Sequence, residues 1–300
     1  MKFLPFARLL RLPNVFTAFA DILMGTLVAG SWALCPGACL CLLAASGCLY
    51  LGGMVWNDYF DFEEDNRERP FRPLPSGQIS RRSAIAIGVA LLGAGLFFAA
   101  IAGLARPGWS AWPFGIAVAL VAAILAYDGG LKRTPFGPIA MGTCRLLNVL
   151  LALSLADFDA IPWLLRWHLA LIVGIYIVGI TWFARQEANK SQPLHLRGAT
   201  GVMVLAIVLA LALPLHRAPG QVTVAFPYLL VVFLAILAPA IVRALRKPES
   251  KQVQSAVKVA ILGLIVFDGI LATAFAGVWG ATSLLLLPPA LLLGKYVYST

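Results

Sequence analysis

Asn57-Asp58-Tyr59-Phe60-Asp61-Phe62-Glu63-Glu64-Asp65-Asn66-Arg67-Glu68-Arg69-Pro70-Phe71-Arg72-Pro73-Leu74-Pro75-Ser76-Gly77 follows an uncharged apolar run and gathers six of the chain's thirteen acidic residues. If the helix of the apolar run continues into it, Asn57, Asp61 and Asp65 stand at i, i+4 and i+8 on one face. Carboxylates stacked that closely repel one another unless a cation neutralises them. The set contains no His or Cys, and hard oxygen donors suit Mg²⁺ or Ca²⁺ rather than zinc. Mg²⁺ takes one or two protein carboxylates and completes its shell with water and substrate phosphate. The stretch therefore reads as a Mg²⁺–diphosphate site at a membrane surface, with Asn57, Asp58, Asp61 and Asp65 as the metal-binding residues. The helix is expected to stop near Glu68, because residues preceding Pro70 and Pro73 are pushed out of the helical region. Arg69 and Arg72 then sit on an extended turn, where their forked guanidinium groups suit phosphate oxygens. Ser76-Gly77 reads as a turn.

The membrane reading comes from the rest of the chain. Hydrophobic residues make up 61%, charged residues 12%, and the mean hydropathy is +0.88. A soluble domain carries about twice that charge. Apolar runs near span length recur at 13–32, 36–57, 83–104, 111–127, 137–156, 165–185, 198–215, 223–245 and 254–279. A tenth candidate at 281–297 is bent or re-entrant at Pro288-Pro289. The expectation is an all-α, polytopic bundle of nine or ten helices in a single integral membrane domain over 1–300.

Lys and Arg alternate across these spans. One side takes eighteen: Lys2, Arg8, Arg11, Arg67, Arg69, Arg72, Arg81, Arg82, Lys132, Arg133, Arg185, Lys190, Arg197, Arg243, Arg246, Lys247, Lys251 and Lys258. The other takes three, Arg106, Arg166 and Arg217. The bias makes the first side cytoplasmic, with the N-terminus and the acidic stretch on it, as expected of a plasma or inner membrane protein. The net charge of +10 is thus a topology signal spread over loops, not a nucleic-acid-binding patch. The basic N-terminal residues resemble a signal peptide, but the run that follows contains Asp21 and leads into a second span, so it reads as a retained helix. Five cysteines lie in or beside apolar spans with no C-x-x-C pair and imply neither disulfides nor zinc.

Two further loops reach the same face. Tyr127-Asp128-Gly-Gly-Leu-Lys132-Arg133 offers cations for phosphate and a ring at a helix end. Arg185-Gln-Glu187-Ala-Asn-Lys190 offers one carboxylate and two cations. Arg145 and Asn148, at i and i+3 in an apolar span, must face the bundle interior or a wet cavity, because a lone Arg in hydrocarbon is costly. Asn14, Asp21 and Asp268 read equally as site lining or as interhelical polar contacts. His168, His195 and His216 are far apart in the chain, make no metal-ligand spacing and receive no role.

At this point the chain resembles the UbiA superfamily of intramembrane prenyltransferases. Asn57-Asp58-x-x-Asp61-x-x-x-Asp65 is similar to that family's first aspartate motif, and Arg72-Pro-Leu-Pro-Ser-Gly77 to the segment that follows it. Tyr127 with Lys132 resembles its Tyr/Lys loop, and Arg11-Leu-Pro-Asn14 its first-helix signature. The family's second aspartate-rich motif is replaced here by Arg185-Gln-Glu187. With Asp21-Ile-Leu-Met-Gly25 and Met141-Gly-Thr-Cys-Arg145-Leu-Leu-Asn148, this looks most like the UbiA-like branch associated with ebo gene clusters. The resemblance implies a helical bundle around a central cavity and Mg²⁺-dependent transfer of an isoprenyl group. The donor would be an allylic prenyl diphosphate, and the acceptor a lipophilic, aromatic or other nucleophilic molecule within the membrane. Asp58, Asp61, Tyr127, Lys132 and Glu187 would act at the reacting centre. Arg69, Arg72, Arg145, Asn148, Arg185 and Lys190 would hold the diphosphate or line the site. Membrane lipid is the surrounding partner, and no obligate protein partner is evident. The alternative is a UbiA-like protein without catalysis that binds or transports a lipid or metabolite, a reading favoured by the altered second motif.

Overall fold

A computed structural model describes residues 3–185, 192–216 and 222–297. These form helices and turns, with no strand among the described residues. The helices are α1 (Phe3–Leu9), α2 (Val15–Val28), α3 (Ser31–Leu34), α4 (Pro36–Phe60), α5 (Phe62–Glu68), α6 (Arg81–Ala105) and α7 (Trp112–Gly129). They continue with α8 (Gly137–Leu153), α9 (Trp163–Ala184), α10 (Pro193–Leu211), α11 (Ala225–Arg246), α12 (Ser250–Ala276) and α13 (Leu287–Tyr296). Starts follow local chemistry. Pro36, Pro113, Pro138 and Pro193 occupy first turns, where a missing N–H costs nothing. The Ser80 hydroxyl caps α6 by accepting from the Ser83 backbone N–H at 3.1 Å.

Seven segments are long and apolar enough to cross a bilayer: α4, α6, α7, α9, α11, Pro193–His216 and Ser250–Tyr296. The spans expected at 13–32 and 137–156 fall on shorter apolar helices, Leu12–Val28 and Gly137–Leu153. At 1.5 Å per residue, α8 is roughly 26 Å long, short of a hydrocarbon core of about 30 Å. Both short helices pack inside the bundle, α2 against α4, α8 and α12, and α8 against α2, α7 and α9. Large apolar side chains such as Phe97, Leu104, Val208 and Val231 stand exposed along the outer helices, as lipid contact requires. The chain is a multi-pass membrane protein.

The expected tenth span is two pieces. Gly277, at φ 59, turns the chain where α12 ends, and a 3-10 stretch (Gly277–Leu286) runs back against it before α13. That return needs Gly280, because a Cβ there would stand 2.4 Å from the Thr273 backbone nitrogen. Pro288-Pro289 open α13 instead of bending a longer helix.

The second half packs around Tyr176, Phe233 and Phe267, all fully buried, with the Tyr176 hydroxyl donating to the Ala260 carbonyl at 3.1 Å. Helices α2, α4, α7, α8, α9 and α12 surround a central cavity of about 240 Å³. His168 and His216, distant in the chain, meet at the opposite end of α9 from Arg185, with ring nitrogens 2.7 Å apart.

Candidate active site

The acidic stretch does not form one straight helical face. Helix α4 ends at Phe60, Asp61 adopts φ −89 and ψ 3, and α5 begins at Phe62. The Asp61 N–H still reaches the Asn57 carbonyl at 3.0 Å, and the Asp65 N–H reaches the Asp61 carbonyl at 2.8 Å, so the helix is kinked rather than broken. The kink gives the carboxylates separate partners. Asp58 accepts from Arg11 Nη2 at 2.9 Å and lies 3.7 Å from Arg72 Nη1, which donates to Asp65 at 2.6 Å. Asp61 instead pairs with Lys132 Nζ at 2.7 Å and accepts from Arg133 Nη2 at 3.2 Å.

The expected stop at Glu68 is observed. Beyond it, the Pro-rich turn folds Arg72 back beneath α5, where it is buried. The Ser76 hydroxyl closes this turn by donating to the Arg72 carbonyl at 2.7 Å, and Gly77 takes φ +72. Arg69 is exposed, and its side chain makes no hydrogen bond among the described residues.

Two residues that the sequence places in a motif or loop without a site role, Arg11 and Asp128, complete the rim. Arg11 takes the left-handed conformation, φ 44 and ψ 47, which side chains rarely adopt. That turn sends its guanidinium to Asp58 and to the Asn57 side-chain oxygen Oδ1 at 3.2 Å. Asp128, buried at the end of α7, accepts the Asn57 amide N–H at 2.8 Å and lies 3.7 Å from Lys132 Nζ. A carboxylate only accepts, so Asp128 holds the Asn57 nitrogen towards itself and leaves the Asn57 side-chain oxygen facing Arg11. The i, i+4 spacing of Asp128 and Lys132 was the available signal.

Four carboxylates (Asp58, Asp61, Asp65, Asp128) thus interleave with four cations (Arg11, Arg72, Lys132, Arg133) at the mouth of the cavity. Among the described residues, no three acidic, His or Cys groups converge on one point. The acids instead bracket cations in pairs: Asp58 and Asp65 around Arg72, and Asp61 and Asp128 around Lys132. Paired hard oxygens suit Mg²⁺ where a substrate phosphate completes the shell, so this donor set fits the ion without all four ligands closing on one centre.

Arg185 reaches the rim by another route. Its Nη2 donates to the Lys132 and Thr134 carbonyls, both at 2.5 Å, and so clamps the loop that presents Lys132. The clamp relies on Gly137, where a Cβ would lie 2.2 Å from that nitrogen. Glu187 and Lys190 lie outside the described residues.

Behind the rim, Tyr127 lines the cavity with Leu49, Met54, Ile180 and Leu264, a wall that is mostly apolar. Arg145 and Asn148 line it deeper in, and both also turn towards Asp21. Arg145 donates to Asp21 at 3.1 Å and to the Thr17 hydroxyl at 2.6 Å, and Asn148 donates to Asp21 at 2.8 Å. Ser46 donates to the Asn148 oxygen at 2.8 Å, and the Tyr50 ring lies 5.6 Å from the Arg145 guanidinium carbon. Asp21 and Asp268 are fully buried and adjoin one another, which places them in the interhelical contact beneath the cavity and not on its wall. Asn14 lines the cavity near Arg11.

Comparison with known proteins agrees with this architecture. Residues 15–262 match the family model described as the UbiA prenyltransferase family. The digeranylgeranylglyceryl phosphate synthase of Saccharolobus solfataricus is 32% identical over 169 residues, 55% of this chain and 56% of that protein. The chain thus spans about half the length of the first curated relatives it matches. The protein of the same name from Methanopyrus kandleri is 30% identical over 271 residues, covering 85% of this chain and 94% of that one. Among solved structures, a digeranylgeranylglyceryl phosphate synthase superposes with a TM-score of 0.67 at 22% identity, covering 92% of this chain and 99% of the other. A UbiA homologue from Archaeoglobus fulgidus, bound to DMAPP and Mg²⁺, gives 0.59 at 12% identity, covering 97% and 99%. The matched region takes in the kinked acidic motif, the Tyr127–Lys132 loop and the cavity between them, and the chain belongs to the UbiA prenyltransferase family.

Proposed function

We propose that this protein transfers an isoprenyl group from an allylic prenyl diphosphate to a lipophilic acceptor within the membrane, with Mg²⁺ as cofactor. The observation that carries the reading is the grid of interleaved acids and cations at the mouth of an apolar cavity. Such a grid can exchange partners: carboxylates released from Arg72 and Lys132 become free for a metal, and the released cations become free for phosphate oxygens. Asn57, Asp58, Asp61, Asp65 and Asp128 would hold the ion, and when bound it would neutralise charge on the diphosphate leaving group. Arg11, Arg72, Lys132 and Arg133 would hold the diphosphate oxygens, with Arg69 at the outer edge and Arg185 fixing the Lys132 loop. Glu187 and Lys190, which follow Arg185 in the sequence, are proposed to meet the diphosphate or acceptor.

In the reaction, the C1–O bond of the donor breaks and diphosphate leaves with the electron pair. The acceptor nucleophile then bonds to C1 and releases a proton. The apolar wall keeps water from the allylic cation, and the Tyr127 ring offers it a π face. Relatives named for making a digeranylgeranylglyceryl phosphate support a lipid hydroxyl as acceptor class beside the aromatic acceptor expected from sequence. Solved relatives bound to DMAPP or GPP with Mg²⁺ support the donor class. The Lys/Arg excess supports a cytoplasmic position for this face, and the proposal takes residues 1–300 as one membrane domain.

The second reading, binding without catalysis, draws on Arg185 engaging backbone carbonyls where the family places acids. One experiment separates the two. Purified protein is given Mg²⁺, prenyl diphosphates of several lengths and a lipid extract, and both released diphosphate and new prenylated lipids are measured. Transfer predicts both products, with both falling by roughly 10²-fold or more in EDTA or in Asp61→Ala. Donor binding without diphosphate release across the acceptor panel would favour the second reading.

A further inference from the structure

The hairpin between α11 and α12 holds a second cavity, of about 340 Å³, lined by Ala240, Arg243, Arg246, Lys247, Gln252 and Ser255. Its charge differs from that of the rim. Among the described residues, no ion pair joins Arg243, Arg246 or Lys247 to a carboxylate. Lys251 and Lys258, also exposed, add positive charge along the same end of α12, and Glu249 in the connecting turn does not line the cavity.

Three lining cations without acids, beside a hydroxyl and an amide, make a site for a phosphate anion. The flanking surface identifies what carries that phosphate. Below Arg243, α11 exposes Val231, Val232, Ile236 and Val242, an apolar tract on a membrane-spanning helix. Arg243 is held back along the helix towards this tract, because its Nε donates to the Pro239 carbonyl at 2.9 Å. A basic pocket at the end of an apolar helical surface offers a lipid both of its contacts, headgroup above and acyl chain below. A soluble phosphate would use only the upper half.

We propose that this pocket binds the phosphate headgroup of an anionic phospholipid, at a site separate from the acidic rim. The site does not depend on the catalytic reading and stands if that reading fails.

The test uses full-length protein in detergent, offered equimolar phosphatidylglycerol and phosphatidylcholine and analysed by native mass spectrometry. Wild type is expected to retain phosphatidylglycerol at least tenfold over phosphatidylcholine. The triple variant R243Q/R246Q/K247Q is expected to lose that preference, while Asp61→Ala keeps it. Should the triple variant not fold, R246Q alone is expected to weaken retention severalfold. Equal retention by wild type and the folded variants would overturn the proposal. So would displacement of the lipid from wild type by an equal concentration of inorganic diphosphate, which would identify a soluble phosphate as the ligand.

Discussion

The rim of the central cavity and its deep end both set acids against arginines, yet they are built for opposite purposes. At the rim, Asp58, Asp61 and Asp65 meet side chains from three separate segments, and Lys132 and Arg133 stand on a loop between α7 and α8. These contacts lie at the helix ends, where water and a polar headgroup can replace them. At the deep end, Arg145 and Asn148 of α8 both hold one oxygen of Asp21 of α2, while the Thr17 hydroxyl accepts from Arg145 and the Ser46 hydroxyl donates to Asn148. No loop takes part, and Asp21 is fully buried. The same pairing of residue types therefore gives an exchangeable network where the backbone ends and a fixed one where helices pack. The first can bind, and the second positions the helices that carry it.

The largest effect expected from this contrast is on stability. Arg145→Ala leaves Asp21 buried without its cation, and removing one partner of a buried pair costs about 3–5 kcal/mol. Unfolding of the detergent-solubilised variant should show it, and an unfolding midpoint equal to wild type would mean that the deep network is not structural.

Next comes Asp61→Ala, which should leave that midpoint nearly unchanged and lower prenyl transfer by roughly 10²- to 10³-fold, the scale of losing one preorganised electrostatic group. A variant that unfolds instead would erase the distinction between the two networks.

Asp128→Asn sharpens the rim itself. An amide can donate to Asn57 and lets it turn over, so Mn²⁺ affinity, read by electron paramagnetic resonance, should fall about 10- to 100-fold, as for other residues that orient a ligand. Asp128→Glu, which only accepts, should recover part of it.

Arg69→Gln should be the mildest, within about twofold, because an exposed side chain away from such networks contributes about 0.5 kcal/mol or less. A large loss there would place Arg69 in the binding grid beside Arg72.

Much of this was legible in the sequence, and the exceptions have physical causes. The apolar runs marked the helices closely, because hydrocarbon admits little else than satisfied backbone. Pro70 and Pro73 fixed the end of α5. The kink at Asp61 could not be read, since the partners of that carboxylate, Lys132 and Arg133, come from a loop about seventy residues away. Arg11 and Asp128 were hidden for a similar reason. Each has an ordinary topology or cap explanation on its own helix, and only the fold brings it to Asn57 and Asp58. Arg185 stood in the sequence as a cation beside the site, whereas the structure makes it a clamp on the Lys132 backbone. The return of Gly277–Leu286 against α12 turns on Gly280, whose role is set by a backbone it meets only after folding.

The central claim is that the rim cations and acids exchange partners when a metal–diphosphate arrives. The most direct measurement is calorimetric titration of the solubilised protein with a non-reactive thiolo analogue of a prenyl diphosphate, with Mg²⁺ and with EDTA. Saturable binding with Mg²⁺, weakened at least a hundredfold by EDTA and by Asp61→Ala alike, is the predicted result. Equal affinity with and without the metal, or in wild type and Asp61→Ala, would contradict it.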